Sequence, residues 1–436
     1  MEYSNWLSMK ALEYRDNVLY FEGKNTLEIS KEYGTPIYVI SEKTIRERYK
    51  NLKILLNSEY ENNRIHYAVK ANSNLSILKI LHSEGAFFDC TSMGEIYACF
   101  KAGISPEKII YTGNMFTDED LTFAVKNKVL INLDSVSQLK RLVKIHEDLG
   151  MEKSIISFRI NPEFGAGHHS HTITAGKTVK FGILEEQAIE AFTKAKDYGF
   201  KKFGIHQHIG SGVLNAQDFK KPVEKYISII KKVAKSLEIE FDFVDFGGGL
   251  GIPYRPLEEP LDFDIYKDVV IKPFKQLVNS EDIGKPIFKI EPGRYLTAES
   301  SILLTQINTI KNNGFKLFAG VDAGFNTLLR PTLYNSYHHI IACNKKGKTS
   351  TLTYDVTGPI CESGDILGKN RELDKLEEKD VLAILDVGAY GFTMSSNYNS
   401  RPRPAEVLIN NRSVYEIRKA ETFEELLKGQ KVPEHL

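Results

Sequence analysis

The residue with the clearest chemical potential is a lysine at the end of the short stretch HYAVKAN, residues 66–72. Ile65, Tyr67 and Val69 alternate with smaller or polar residues as in a strand, and apolar residues then recur at helical spacing up to Gly85. Lys70 therefore stands where a predicted strand passes into a predicted helix. At that position in an α/β barrel a partly desolvated lysine can act as a nucleophile, although a lysine at a strand end is also compatible with simple surface exposure.

A second candidate is the glycine cluster Gly247-Gly248-Gly249-Leu250-Gly251. It follows a predicted strand, and its backbone N–H groups lack side-chain cover, which is typical of a phosphate-binding nest. The cluster has neither the Lys-Ser/Thr pair of a Walker A loop nor the spacing of a dinucleotide fingerprint. Late strands of an α/β barrel commonly end in a phosphate site, and this cluster follows the seventh predicted strand.

A nucleophilic lysine, a phosphate site and an acid together indicate pyridoxal 5'-phosphate (PLP). Lys70 would form the Schiff base, the glycine amides and Arg294 would hold the phosphate, and Glu291 would keep the pyridine nitrogen protonated. His208 could stack on the ring, although a histidine at this position is also compatible with a core or loop role.

The elements that must position these residues recur as strand-like runs with helical segments between them. The runs are 65–70, 87–92, 109–113, 129–134, 155–160, 203–210, 241–247 and 286–291. They are about eight in number, which predicts a TIM-type (β/α)8 barrel. After residue 294, short strand-like pieces follow one another with almost no long helix, an all-β pattern. We therefore predict a barrel domain at 36–290 and a β-sandwich domain formed by 1–35 plus 291–436.

Composition excludes several classes of function. Lys+Arg and Asp+Glu both count 57, so there is no positive excess for nucleic acid or an anionic membrane. The four cysteines are widely spaced without a Cys-x-x-Cys pair, which argues against a disulfide framework or a zinc site. No signal-peptide pattern or long apolar run is present. We expect a cytoplasmic enzyme acting on a small molecule.

Six ordered motifs resemble those of one enzyme family. They are YAVKAN (67–72), HQHIGS (206–211), DFGGGLG (245–251), EPGR (291–294), CESGD (361–365) and GAYG (388–391). In this order they are similar to the PLP-dependent decarboxylases of the alanine-racemase-like fold, which act on ornithine, arginine or diaminopimelate. The resemblance spans roughly residues 15–430. It implies a PLP-binding barrel followed by a β-sandwich domain, in a homodimer whose active sites are shared between subunits.

The resemblance also implies roles for individual residues. Lys70 is the Schiff-base lysine, His208 stacks on the cofactor and Glu291 meets the pyridine nitrogen. The phosphate-binding residues are Ser211, Gly247, Gly248, Gly249, Gly293 and Arg294, and Tyr390 also belongs to the cofactor site.

Cys361 is the implied proton donor, supplied by the second subunit with Glu362 beside it. A thiol suits this role because it is mostly protonated at neutral pH. A free cysteine is more often a small packed hydrophobic residue, but the polar neighbours of Cys361 describe a loop.

Substrate choice is predicted to depend on charge at the distal end of the amino acid. Arg330 and Tyr334 resemble the segment that holds a distal carboxylate, with Arg294, Glu362 and Tyr390 completing the set. Arginine forks bind carboxylates bidentately. The residues are therefore most similar to the branch that converts meso-2,6-diaminopimelate to L-lysine and carbon dioxide. A sister decarboxylase of D-ornithine or D-lysine, an amino-acid racemase, and a non-catalytic binding protein remain alternatives, and a structural role for Arg330 would weaken the inference.

Three histidines, His168, His169 and His171, follow the fifth predicted strand. Acids or cysteines at ligand spacing are lacking, so we predict no metal site there and interpret the segment as a loop that covers the active site.

Overall fold

The computed structural model describes residues 3–165, 167, 174–176, 178–344, 351–411 and 413–436. The histidines at 168–171 lie outside the described residues, so the loop predicted there stays a prediction. The strands are β1 (Leu12–Arg15), β2 (Val18–Phe21), β3 (Lys24–Asn25), β4 (Ile37–Ser41), β5 (Asn63–Ala68), β6 (Phe87–Cys90), β7 (Ile109–Tyr111), β8 (Leu130–Leu133), β9 (Ile155–Arg159), β10 (Lys202–His206), β11 (Phe243–Asp245), β12 (Ile287–Ile290), β13 (Ser301–Asn312), β14 (Leu317–Val321), β15 (Ile340–Ala342), β16 (Thr351–Thr357), β17 (Ile366–Asp374), β18 (Val381–Ile384), β19 (Ala405–Asn410) and β20 (Ser413–Arg418).

The helices are α1 (Tyr3–Met9), α2 (Thr26–Tyr33), α3 (Glu42–Asn57), α4 (Leu75–Ser83), α5 (Met93–Lys101), α6 (Asp118–Lys126), α7 (Val136–Asp148), α8 (Glu185–Asp197), α9 (Lys220–Leu237), α10 (Phe263–Tyr266), α11 (Lys272–Ser280), α12 (Arg294–Thr297), α13 (Arg330–Tyr334) and α14 (Phe423–Leu426). Within the described part of the chain, no helix combines the length and apolar character needed to cross a bilayer.

The chain forms two compact units. The barrel unit comprises Ile45–Pro253 and Glu259–Leu296, and the sheet unit comprises Met1–Thr44, Tyr254–Glu258 and Thr297–Leu436. In the barrel unit, β5 to β12 close into a parallel barrel in chain order, with β12 hydrogen-bonded back to β5. The predicted (β/α)8 barrel is therefore confirmed.

The barrel helices follow from local sequence signals. Thr117 and Asp120 form a capping box at the start of α6, which satisfies N–H groups that have no partner within the helix. In α9, Val223, Tyr226, Ile230 and Val233 are buried at spacings of three and four residues. These residues form one apolar face of a helix whose other positions are mostly lysine and polar.

The sheet unit contains a large mixed sheet and a small N-terminal sheet of β1, β2 and β3. Along β13, Ile302 and Leu304 belong to one apolar core, whereas Leu303 and Ile307 belong to another. Because successive side chains of a strand point to opposite faces, the large sheet is buried on both sides. The first core also contains Leu19 of β2, so the N-terminal strands pack within this unit.

The structure corrects the predicted domain limits at two places. Residues 36–41 were assigned to the barrel, but β4 pairs with β13 and β19 in the sheet unit. The five residues of β4 are all buried. A buried strand has the same continuous apolar sequence whether it belongs to a barrel or to a sheet covered on both faces. Residues 291–296 were assigned to the β domain but belong to the barrel unit. The reason is a backbone bond from Glu291 N–H to Gly247 O at 2.8 Å, which continues the barrel past β12.

Candidate active site

Lys70 lies at the carboxyl end of β5, in a single 3-10 turn, Val69–Ala71, that precedes α4. Its Nζ is 3.3 Å from Oδ2 of Asp89. Asp89 is completely buried near the end of β6 and also accepts a hydrogen bond from the hydroxyl of Thr112. The barrel thus places an ammonium group at its carboxyl end and holds it with a buried carboxylate.

Glu291 lies beside His206 in the barrel interior. His206 Nε2 and Glu291 Oε2 are 3.1 Å apart, and both side chains are almost fully buried. Burial lowers the pKa of His206 to about 4. Burial, with the negative charge of Asp89, raises the pKa of Glu291. Its second oxygen, Oε1, is buried and has no hydrogen-bond partner among the described residues. An N–H group from a bound molecule would satisfy that oxygen.

Asp245 completes this acidic pocket. Its Oδ1 accepts from Gly247 N–H at 2.9 Å, and its Oδ2 is buried without a partner among the described residues. Burial and the neighbouring Glu291 raise the pKa of Asp245. Donor atoms of His206, Asp245 and Glu291 all lie within 4.8 Å of one another, a composition that could ligate a cation. Burial lowers the pKa of the neighbouring, buried Lys289 to about 8, and the negative charge of Asp245 opposes this shift.

His208 is oriented by the glycine cluster. Gly248 N–H donates to His208 Nδ1 at 2.9 Å. Burial lowers the pKa of His208 well below its usual value, so the ring is neutral and its proton is on Nε2. A neutral, fixed imidazole is suited to stacking on an aromatic ring.

The glycines are required by close backbone approach. A Cβ on Gly247 would lie 2.3 Å from Gln207 O, and one on Gly248 would lie 2.6 Å from Glu291 O. Two of the amides predicted to bind phosphate already have hydrogen-bond acceptors within the protein. The Gly247 and Gly248 N–H groups already donate to Asp245 and His208, because the cluster packs directly on the neighbouring strand ends.

Ser211 and Arg294 are brought together from distant parts of the sequence. Arg294 Nε and NH2 donate to Ser211 Oγ at 3.3 and 3.1 Å. Gly293 permits this position because its backbone lies against α4's entry turn, where an added Cβ would be 2.9 Å from Ala71 Cβ. The guanidinium and hydroxyl form a cationic, hydrogen-bonding pair of the kind that binds phosphate.

The sheet unit contains the other predicted site residues. Cys361 is exposed, and Asn399 bonds it twice: Cys361 N–H donates to Asn399 Oδ1, and Asn399 Nδ2 donates to Cys361 Sγ, each at 3.3 Å. The neighbouring Glu362 accepts from the Tyr398 hydroxyl at 2.5 Å. Asp365 accepts from Ile360 N–H at 2.7 Å, which fixes the turn that contains the thiol.

Arg330 begins the short helix α13 and is almost fully buried. Its guanidinium donates to the Tyr254 hydroxyl at 2.8 Å and to Ser336 Oγ at 3.3 Å, and it lies 3.2 Å from His338 Nε2. These contacts give Arg330 a structural role, the alternative noted from the sequence. Tyr334 ends the same helix and is partly buried.

Tyr390 is partly buried in the sheet unit and has a positive φ of 59°. It is flanked by tightly packed glycines: a Cβ on Gly388 would lie 1.9 Å from Thr297 O, and one on Gly391 would lie 2.3 Å from Val387 O. The GAYG motif therefore reflects a backbone path that larger residues would block.

Sequence reasoning missed three residues of the barrel site, Asp89, His206 and Asp245. Each is a polar residue in or next to the last position of a buried strand. A polar residue at the end of a buried strand can indicate a site residue. Loops also begin with polar residues, so this pattern alone does not distinguish the three site residues from the first residues of loops.

The barrel residues fit PLP. An unpartnered oxygen of Glu291 is available to a pyridine N–H, and a cationic ring nitrogen would lower the pKa of this acid again. His208 is neutral and held by Gly248, and Ser211 with Arg294 offers phosphate ligands. Lys70 lies at the same end of the barrel, where its amine could bind the aldehyde carbon.

Comparisons with known proteins agree with this chemistry. Residues 42–298 match the family described as "Pyridoxal-dependent decarboxylase, pyridoxal binding domain". The diaminopimelate decarboxylase of Methanothermobacter thermautotrophicus is 48% identical over 414 residues, covering 95% of this chain and 96% of the relative.

Two solved structures are similar over nearly the whole chain. The diaminopimelate decarboxylase from M. jannaschii, in complex with L-lysine, has a TM-score of 0.91 and 34% identity, with complete coverage of both chains. The enzyme from Helicobacter pylori, also complexed with L-lysine, has a TM-score of 0.85 and 35% identity, covering 93% of this chain and 98% of that one.

Proposed function

Because this chain belongs to the family of pyridoxal-dependent decarboxylases, we infer that it removes carbon dioxide from meso-2,6-diaminopimelate and releases L-lysine. Relatives that are similar over nearly the full chain have this name, and two of the similar structures contain L-lysine, the product. The structural observation on which the inference depends is the buried, unpartnered Oε1 of Glu291, in the same barrel that presents Lys70.

PLP, when bound, supplies an electron sink for the pair left behind by the departing carboxylate. Lys70 would hold the cofactor, and Asp89 keeps the Lys70 side chain at the barrel mouth. Glu291 would hold a proton on the ring nitrogen, and the neutral His208 would support the ring face. Ser211 and Arg294 would bind the phosphate.

Cys361 is proposed as the donor of the proton that replaces carbon dioxide. Replacement of a carboxylate by hydrogen consumes one proton, and a thiol can supply it at neutral pH. Asn399 Nδ2 donates to the sulfur, so the thiol hydrogen is left to point elsewhere. Glu362 is proposed to bind the distal ammonium of the substrate, with Arg294, Tyr334 and Tyr390 around the amino acid.

Arg330 remains a proposed ligand of the distal carboxylate. Its contacts with Tyr254 and Ser336 fix the plane of the guanidinium. A guanidinium has five N–H groups, so a substrate carboxylate would share them with these protein partners.

The exposure of Cys361 and Glu362 supports a homodimer with shared active sites. Closing an active site expels bulk water from the reacting groups, yet both residues are exposed in the single chain. A second subunit that covers the loop of Cys361 and Glu362 would shield both residues from bulk water. Mixing Lys70→Ala and Cys361→Ala proteins should then restore about a quarter of the activity, because mixed dimers have one intact site. Failure to recover any activity, with mixed dimers shown by mass spectrometry, would refute shared sites.

We place the reaction in the cytoplasm. Cys90, Cys99, Cys343 and Cys361 are all unpaired thiols, as expected in a reducing compartment.

The direct test is incubation of the protein with PLP and meso-2,6-diaminopimelate. Equal amounts of carbon dioxide and L-lysine are expected. Lys70→Ala should be inactive, whereas Lys79→Ala, an exposed lysine on α4, should match the parent protein. Faster turnover of D-lysine or D-ornithine would favour a sister decarboxylase, and epimerisation without carbon dioxide would favour a racemase.

A further inference from the structure

A polar cleft of about 540 Å³ lies in the sheet unit. We call it the arginine cleft. The cleft is lined by three basic residues, by one acid, by a histidine and a tyrosine, and by smaller residues that include Gly368 and Asn370. The titratable residues are Arg255, Lys369, Arg371, Glu372, His339 and Tyr337. Three permanent cations therefore face one acid.

Two arginines of the cleft contact a single tyrosine ring. The guanidinium carbons of Arg255 and Arg371 lie 4.2 and 3.9 Å from the centre of Tyr337. The Tyr337 hydroxyl is 2.9 Å from His339 Nδ1, and His339 Nε2 is 2.8 Å from the Tyr3 hydroxyl. These hydrogen bonds hold the Tyr337 ring in place. Both guanidinium groups contact this one ring, so they lie close to each other.

Neither arginine is neutralised within the described part of the chain. Arg255 and Arg371 form no ion pair with an acid there, and Arg371 Nε is buried without an acceptor. Other arginines of the same unit do have acids, since Arg403 Nε donates to Glu421 at 2.7 Å and Arg418 is paired with Glu406. Adjacent unpaired cations are unfavourable, and more so where one of them is partly desolvated.

The fold makes room for Arg371 at a specific position. A Cβ on Gly368 would lie 2.6 Å from Arg371 Nε, so the side chain crosses the backbone at this glycine of β17. Burial lowers the pKa of Arg371, the adjacent Tyr337 opposes this shift, and the charge of Arg255 adds to it. A guanidinium remains cationic all the same. An anion between the two guanidiniums would supply the missing acceptors.

We propose that the arginine cleft binds a phosphate dianion, either inorganic phosphate or the phosphate group of a small monoester. Two planar guanidinium forks match the oxygens of such a dianion, and the Lys369 ammonium adds charge without a geometric demand. The bound anion would link Arg255 of the segment Tyr254–Glu258 to Arg371 of β17. Binding therefore stabilises the attachment of that segment to the sheet unit.

The test uses the PLP-loaded protein after borohydride reduction, which fixes the cofactor on Lys70 and keeps the catalytic phosphate site filled. Isothermal titration with inorganic phosphate, against potassium chloride at equal ionic strength, should show one saturable site beyond PLP. The Arg255→Gln/Arg371→Gln protein should lose at least tenfold in affinity. The control Arg15→Gln/Arg141→Gln removes two arginines that do have acid partners, and should bind phosphate like the parent protein.

Absence of a saturable site, or equal affinity in the cleft double variant and the parent, would overturn the proposal. If the double variant is unfolded by near-ultraviolet circular dichroism, Arg255→Lys and Arg371→Lys replace it. These variants keep the charge but remove the forks, so weaker binding supports the proposal and unchanged binding refutes it. Titration with phenyl phosphate distinguishes the sources: tighter binding than inorganic phosphate indicates a monoester, and weaker binding indicates the free ion.

Discussion

His206 Nε2 lies 3.1 Å from Glu291 Oε2 in the interior of the barrel, although the two residues are 85 positions apart in the sequence. The contact leaves Glu291 Oε1 as the oxygen available to a ligand. A hydrogen bond to an ionised carboxylate favours its charged form. His206 is therefore a positioning residue for Glu291, and its contribution can be measured.

We expect His206→Asn to weaken PLP binding about tenfold or more, because a hydrogen bond to a charged group contributes roughly 1.5–3 kcal/mol. With the proton of the neutral His206 assigned to Nε2, its removal also raises the pKa of Glu291, so the pH dependence of the visible cofactor absorbance should move to higher pH. Spectrophotometric titration with PLP across pH checks both effects. His435→Asn, an exposed site, is the control. An unchanged pH profile would contradict the assignment.

Gly248→Ala should also disrupt the cofactor site. Its Cβ would lie 2.6 Å from Glu291 O and 3.2 Å from His208 Cε1, so Glu291 and His208 must move. We expect at least tenfold weaker PLP binding in the same titration. Gly94→Ala is the matched control, because its nearest neighbour is 3.7 Å away and it lies in helix α5. That variant should be neutral or more stable by roughly 0.5–1 kcal/mol. Equal PLP affinity in the two variants would show that the close contacts are unimportant.

Cys361→Ala should retain PLP and its visible spectrum but lower kcat by about 10²–10⁴, the usual contribution of a positioned proton donor. Steady-state kinetics together with spectral titration separate the two effects. Cys361→Ser should recover part of the rate, because a hydroxyl can also donate a proton. A kcat equal to that of the parent protein would remove this thiol from the reaction.

Replacing Arg330 by Met should lower the free energy of unfolding by roughly 1–3 kcal/mol, the typical effect of removing the hydrogen-bond partner of buried polar groups. The partners are Tyr254, Ser336 and His338. Tyr254→Phe, which removes only one acceptor, should lower it by roughly 1 kcal/mol. Denaturant unfolding of both variants checks the structural role. A raised KM in Tyr254→Phe with unchanged kcat would support the proposed role of Arg330 in substrate binding.

The stability of the sheet unit should depend on the pH through His339. Burial, with the charge of Arg371, lowers the pKa of His339 to about 4. In the unfolded chain, His339 binds a proton when the pH falls below its ordinary pKa of about 6.5. In the folded chain it stays neutral until the pH approaches 4. The stabilisation is therefore complete above pH 6.5 and is lost as the pH falls toward 4, by roughly 2–3 kcal/mol. His339→Gln should remove this dependence. Parallel unfolding curves for the parent and the variant between pH 4.5 and 7.5 would contradict the prediction.

The sequence by itself determined the barrel and the positions of Lys70 and the glycine cluster after its strands. Strand periodicity, the position of Lys70 after a strand, and a glycine cluster after the seventh strand are local features, because they depend on backbone geometry within a few residues. The same holds for the change to an all-β pattern after the barrel.

Only the tertiary structure decided which groups meet. The pairs Lys70–Asp89, His206–Glu291 and Ser211–Arg294 join different strands of the barrel, and β4 pairs in the second sheet despite its barrel-like sequence. An isolated acid or histidine at a strand end has the same sequence signature whether it faces a loop, a core or a ligand. Its partners are set by which strands are neighbours and by the register between them, and a single sequence does not contain that information locally.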